Sequence, residues 1–77
     1  MALIRQFSNK PMERNSIHRE IKASYSVFEY DGRVFVQIDS FGTEDRQIPG
    51  KKSQTIQLDR QGAEALVKIL KTAFSLD

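Results

Sequence analysis

The dipeptide Asp31-Gly32 stands between two runs rich in β-branched and aromatic residues, Arg19 to Tyr30 and Arg33 to Phe41. A two-residue turn between antiparallel strands needs positive φ at both central positions, and Asp-Gly supplies this at low steric cost. The pair therefore predicts a hairpin and, with it, a register. Counting outward, Tyr30 faces Arg33, Phe28 faces Phe35, Val27 faces Val36, Ser26 faces Gln37 and Tyr25 faces Ile38. One face then collects Ile21, Ala23, Tyr25, Val27, Val34, Val36 and Ile38. The other collects Lys22, Ser24, Ser26, Phe28, Tyr30, Arg33, Phe35, Gln37, Asp39 and Phe41. A slip of one residue would send every side chain to the opposite face, so the segregation of the aliphatic residues supports this register independently of the turn.

Downstream, Gly42 to Arg46 is acidic and turn-rich, and Ile48-Pro49-Gly50-Lys51 places proline and glycine where a type II turn requires them. A third short strand is expected to lead into that turn. Ser53 to Leu58 alternates, with Ile56 and Leu58 on one side and Thr55 and Gln57 on the other, and reads as a fourth strand. Asp59 is placed to cap a helix, its carboxylate accepting from first-turn amides. Ala63, Leu66, Val67, Leu70, Ala73 and Phe74 then follow helical spacing, with Lys68 and Lys71 outside the stripe. Gly62 in the first turn weakens the helix by about 1 kcal/mol at most. Ile69 lies off the stripe and needs cover from another chain. The fold class expected is α+β: a four-stranded antiparallel curved sheet followed by one C-terminal amphipathic helix.

Residues 1–18 show no sustained period and read as a mostly irregular basic arm, although Ala2 to Phe7 has the composition of a short strand. Residues 19–77 form the domain. The segment through Lys22 holds Arg5, Lys10, Arg14, Arg19 and Lys22 against Glu13 and Glu20, so it is more basic than the rest of a chain whose net charge is only +2. At 77 residues a chain buries only about 60% of its unfolded surface, and a lone core is marginal. No cysteine is present, which excludes a disulfide staple and a thiolate zinc site, and a single histidine, His18, cannot supply a zinc ligand set. A second copy of the chain is the remaining support. No apolar run approaches the ~20 residues of a membrane span and no signal-peptide core is seen, so a cytoplasmic protein is expected, nucleoid-associated in a bacterium.

Catalysis is not expected. His18 has no nucleophile or carboxylate grouped with it, and no glycine-rich phosphate loop occurs. Asp39, Glu44 and Asp45 have the composition of a cation cluster but read as a solvated turn, so neither metal nor cofactor is expected. The informative feature is the second face of the hairpin, where Phe28, Tyr30, Phe35 and Phe41 stand among Lys22, Arg33 and Gln37. Such a face either packs against another polypeptide or offers a stacking platform to unpaired bases. Arg46, Lys51 and Lys52 around the Pro-Gly turn would then neutralise phosphates, with Thr55 and Gln57 adding hydrogen bonds.

Particular residues also resemble the positive cofactor four family of transcriptional coactivators, which has small bacterial and phage members and is akin to the Whirly proteins. Gly32-Arg33-Val34-Phe35-Val36-Gln37-Ile38 is similar to the family's Gly-Lys-Val-Leu-Ile-Asp-Ile strand, with Phe41 near its following aromatic. Pro49-Gly50-Lys51-Lys52 is similar to its Pro-Gly-Arg-Lys turn, and Ile56-Gln57-Leu58 to its Gly-Ile-Ser-Leu strand. Gly62 and Ala63 stand where the family often carries an aromatic. The resemblance implies a homodimer whose curved sheets form channels for single-stranded DNA, with the helices helping to close the dimer. By position it assigns Arg33, Phe35, Lys51 and Lys52 to the nucleic acid; the hairpin register adds Lys22, Phe28, Gln37, Phe41 and Arg46. The function expected is largely sequence-independent single-stranded DNA binding in transcription, replication or repair. The alternatives are RNA as the preferred strand, and a protein-interaction module, an adaptor or a mobile-element inhibitor, that uses the same aromatic face.

Overall fold

The computed structural model describes residues 1–41 and 52–77; of Lys52 and Ser53 the backbone alone is described. Strands β1 (Ala2–Ile4), β2 (Ala23–Tyr30), β3 (Arg33–Phe41) and β4 (Lys52–Leu58) form one sheet in the order β1-β4-β3-β2, followed by helix α1 (Arg60–Phe74). Among the described residues the chain is thus α+β, a four-stranded sheet and one C-terminal helix. The expected short strand before the Pro49-Gly50 turn lies outside the described residues.

The hairpin follows from its turn. Asp31 and Gly32 have φ of 55° and 74°, both in the left-handed region that the turn demands. The register then runs from Tyr30↔Arg33 through Phe28↔Phe35 to Ala23↔Ser40, in agreement with the outward count from the dipeptide. Strand β2 begins at Ala23 rather than at Arg19. Strand β4 pairs antiparallel with β3, Val36 facing Leu58 and Gln37 facing Gln57, with a register shift between Ser40 and Phe41.

The expectation of a wholly antiparallel sheet is corrected at the other edge. Ala2–Ile4 pairs parallel with β4, Ala2 facing Ile56 and Ile4 facing Leu58, so the sheet is mixed. A parallel neighbour needs a long connection, and here everything between Ile4 and Lys52, β2 and β3 included, separates β1 from β4; its first part, residues 5–22, carries the chain from the β1 edge to the β2 edge. The start of the expected arm therefore belongs to the sheet. From Arg5 to Lys22 no helix or strand forms, and every residue is exposed.

Helix α1 starts as its cap residue predicts. Asp59 is extended (φ −89°, ψ −176°) and its Oδ1 accepts from the Gly62 amide at 2.8 Å. The helix ends at Ser75, which is left-handed (φ 54°), while the Leu76 amide donates to the Lys71 carbonyl at 3.0 Å. Gly62 has a packing reason: a Cβ built there would run into the carbonyl oxygen of Ile4. Beyond its first turns the helix leaves the sheet, and residues 67–77 are all exposed.

Burial is thin. Among the described residues only Phe35 and Leu58 are buried hydrophobics, one on each face of the sheet. On the aliphatic face Tyr25, Val27 and Val34 are each more than half exposed, as is Phe74 on the helix. Among the described residues no helix is long and apolar enough to cross a membrane.

Candidate nucleic-acid interface

The aromatic face is assembled by register. Because Phe28 and Phe35 are direct partners across the hairpin, their rings stack with centroids 5.5 Å apart and planes 20° from parallel. The Arg33 guanidinium lies 5.1 Å from the Phe35 centroid, over the ring. Phe35 is thereby packed and only 9% exposed, whereas Phe28 is 37% and Tyr30 71% exposed. The ring surface open to an incoming planar group belongs to Phe28 and Tyr30.

Arg33 is held at its other side by Asp59, whose Oδ2 lies 3.3 Å from an Arg33 terminal nitrogen. The same oxygen is 2.9 Å from Nε of Arg5, just past β1. Asp59 is buried while both arginine side chains remain more than half exposed. One carboxylate thus holds two guanidiniums, and Arg5 also donates to Gln61 Oε1 at 3.5 Å. Accepting the Gly62 amide holds the Asp59 carboxyl below its ordinary value of 3.8; burial opposes this, and the nearby charges of Arg5 and Arg33 reinforce it.

The middle of the face carries a polar network among the described residues. Gln57 donates to Gln37 Oε1 at 3.0 Å, and Gln37 donates to both Asp39 oxygens at 3.2 Å. Thr55 Oγ1 donates to Asp39 Oδ1 at 2.7 Å. An ionised carboxylate can only accept, so Asp39 fixes which way the Gln37 amide points, and Gln37 in turn orients Gln57. Asp39 and Thr55 are buried, and among the described residues no buried side-chain nitrogen or oxygen lacks a partner. Centrally the face is occupied by its own hydrogen bonds; towards the hairpin turn it is aromatic and cationic.

The nine expected site residues separate accordingly. Phe28, Arg33 and Phe35 form one stack near the turn, and Gln37 belongs to the central network. Lys22 and Phe41 lie at the far end of the hairpin, where the Phe41 amide donates to the Lys22 carbonyl at 3.2 Å. The Lys52 backbone pairs with Phe41 at that same end. Arg46 and Lys51 lie outside the described residues. Arg5 joins the site although nothing in the arm's composition separates it from the other cations there. Asp59, a helix cap by sequence, is also the anchor of two arginines. Among the described residues no cluster of acidic, histidine or cysteine side chains could hold a metal ion. The chain matches no protein-family model, no curated protein and no solved structure.

Proposed function

We propose that the protein is a homodimeric, largely sequence-independent single-stranded DNA-binding protein of the positive cofactor four type. The observation that carries the reading is the juxtaposition of exposed Phe28 and Tyr30 with the exposed guanidiniums of Arg33 and Arg5. Unpaired bases stack on the two rings, a contact that tolerates any base. Phosphates meet the arginine pair at the turn end of the sheet, and Lys22, with Lys52, at the other. The exposed aliphatic face and the uncovered helix stripe supply the contact between the two copies.

Titration of fluorescent oligo-dT, with a duplex and an oligo-U arm, at two salt concentrations tests this. Binding should favour the single strand and weaken steeply with salt; equal or absent binding removes the proposal. A protein-interaction module is the second reading, favoured by the packing of Phe35 and the occupied centre of the face. It predicts that Phe28→Ala abolishes capture of a protein partner while nucleic acid has no effect.

A further inference from the structure

Strand β2 is an edge of the sheet, so among the described residues its outer side has no partner strand. Its backbone polarity follows from the turn. A two-residue loop makes Tyr30 and Arg33 a hydrogen-bonded pair, and alternation then points the amides and carbonyls of Tyr30, Phe28, Ser26 and Ser24 inward to β3. The Phe41 amide donating to the Lys22 carbonyl continues that inward series. Ala23, Tyr25, Val27 and Glu29 therefore direct their backbone groups outward. Edges are ordinarily blunted by proline, by a bulge or by several charges. Strand β2 contains no proline, the register shift of the sheet falls between β3 and β4, and Glu29 is its one charged residue. All eight of its residues are exposed.

We infer that β2 pairs antiparallel with β2 of a second copy, about a two-fold axis through Ser26. Of the chemistries that could add a strand here, the chain's own sequence fits on charge. In this register Tyr25 lies opposite Val27 of the copy and Ala23 opposite Glu29, so the outward-pointing residues meet one another in hydrogen-bonded pairs. Lys22 falls opposite Tyr30 of the copy and diagonal to Phe28, where rings receive its charge. Glu29 falls diagonal to the Tyr25 hydroxyl, a donor. No two like charges face each other along the strand. The contact is separate from the one proposed for the aliphatic face and helix, because it joins the edges of two sheets and leaves both faces open, so the two contacts together join homodimers into a larger assembly. It also sets the aromatic faces of the two copies side by side on one continuous surface.

The chain has no cysteine, so a single introduced thiol reports the axis. Ser26 would lie opposite itself in a non-hydrogen-bonded pair, with Cα atoms about 4.5 Å apart, within the range a disulfide spans. Ser24 would lie opposite Phe28 of the copy, about 13 Å along the strand from its own equivalent. Mild oxidation should convert most of Ser26→Cys into a reducible covalent dimer on a non-reducing gel and leave Ser24→Cys monomeric. A Ser26→Cys protein that stays monomeric overturns the inference, and so does a Ser24→Cys protein that crosslinks as readily. Neither outcome depends on whether oligo-dT binds.

Discussion

Nε of Arg5 lies 2.9 Å from Oδ2 of Asp59, the residue whose other oxygen caps the helix. The pair ties the end of β1 to the start of α1. Asp59→Asn keeps an acceptor for the Gly62 amide but removes the charge that holds both arginines, so thermal unfolding at neutral pH should move down by several degrees. The pH dependence has a definite sign. Because the folded-state pKa is depressed, the stabilisation is present above the ordinary value of 3.8 and is lost as pH falls from there through the lower folded value. The gap in Tm between the native chain and Asp59→Asn should close in that window; a gap of the same size at pH 2 and pH 7 contradicts the role.

Gly62→Ala reverses the usual expectation for a helix. In an open helix the change stabilises by about 1 kcal/mol. Here the added methyl group meets the Ile4 carbonyl, and overpacking of this kind costs about 1–3 kcal/mol. Denaturant unfolding should show a lower midpoint for Gly62→Ala, and a higher one would mean that β1 is not seated on the first turn of α1.

The aromatic residues should divide into core and contact. Phe35→Ala removes a buried ring and should destabilise the fold by about 3 kcal/mol, measured by denaturant unfolding. Phe28→Ala and Tyr30→Ala should leave a folded protein and weaken oligo-dT binding by about 1 kcal/mol each, roughly fivefold, with little dependence on salt. Unchanged affinity in both variants would remove base stacking from the mechanism.

The arginine pair has a different signature. Arg5→Gln and Arg33→Gln should each reduce the slope of log K against log salt by about 0.7, the value for one phosphate contact on a single strand. A parallel downward shift with no change of slope would assign the arginines to the fold alone.

The helix and the aliphatic face should report on dimerisation. Val34 is more than half exposed, and Leu70 lies on the exposed helix stripe. Val34→Asp and Leu70→Asp should each halve the mass seen by light scattering if these surfaces meet in a second copy. An unchanged mass in both would place the contact elsewhere.

Local chemistry accounts for what the residues disclosed in advance. Asp31-Gly32 determined the hairpin because two adjacent positive φ angles are rare outside such a turn, and every β2 to β3 pair followed. Asp59 and the spacing from Ala63 to Phe74 announced the helix, since a cap and a period lie within one segment. Strand β1 was legible only as a composition, because three residues are too few to show a period and its partner Ile56 lies far along the chain. The reason for Gly62, the placement of Arg5 and the mixed direction of the sheet all depend on β1 and were hidden with it. The inward packing of Phe35 was hidden for another reason: alternation separates the faces of a strand but does not say which ring a neighbouring arginine will cover.

The parallel pairing of β1 with β4 also sets an order of assembly. The hairpin closes through a two-residue turn and forms early, whereas Ala2 reaches Ile56 only after the intervening chain has been gathered, at a greater loop-closure entropy. Arg5 and the Ile4 carbonyl are therefore expected to reach Asp59 and Gly62 last, so that β1 acts as a latch on a sheet and helix already formed. Amides in the first turn of α1 should accordingly gain full protection from hydrogen exchange only when β1 has docked.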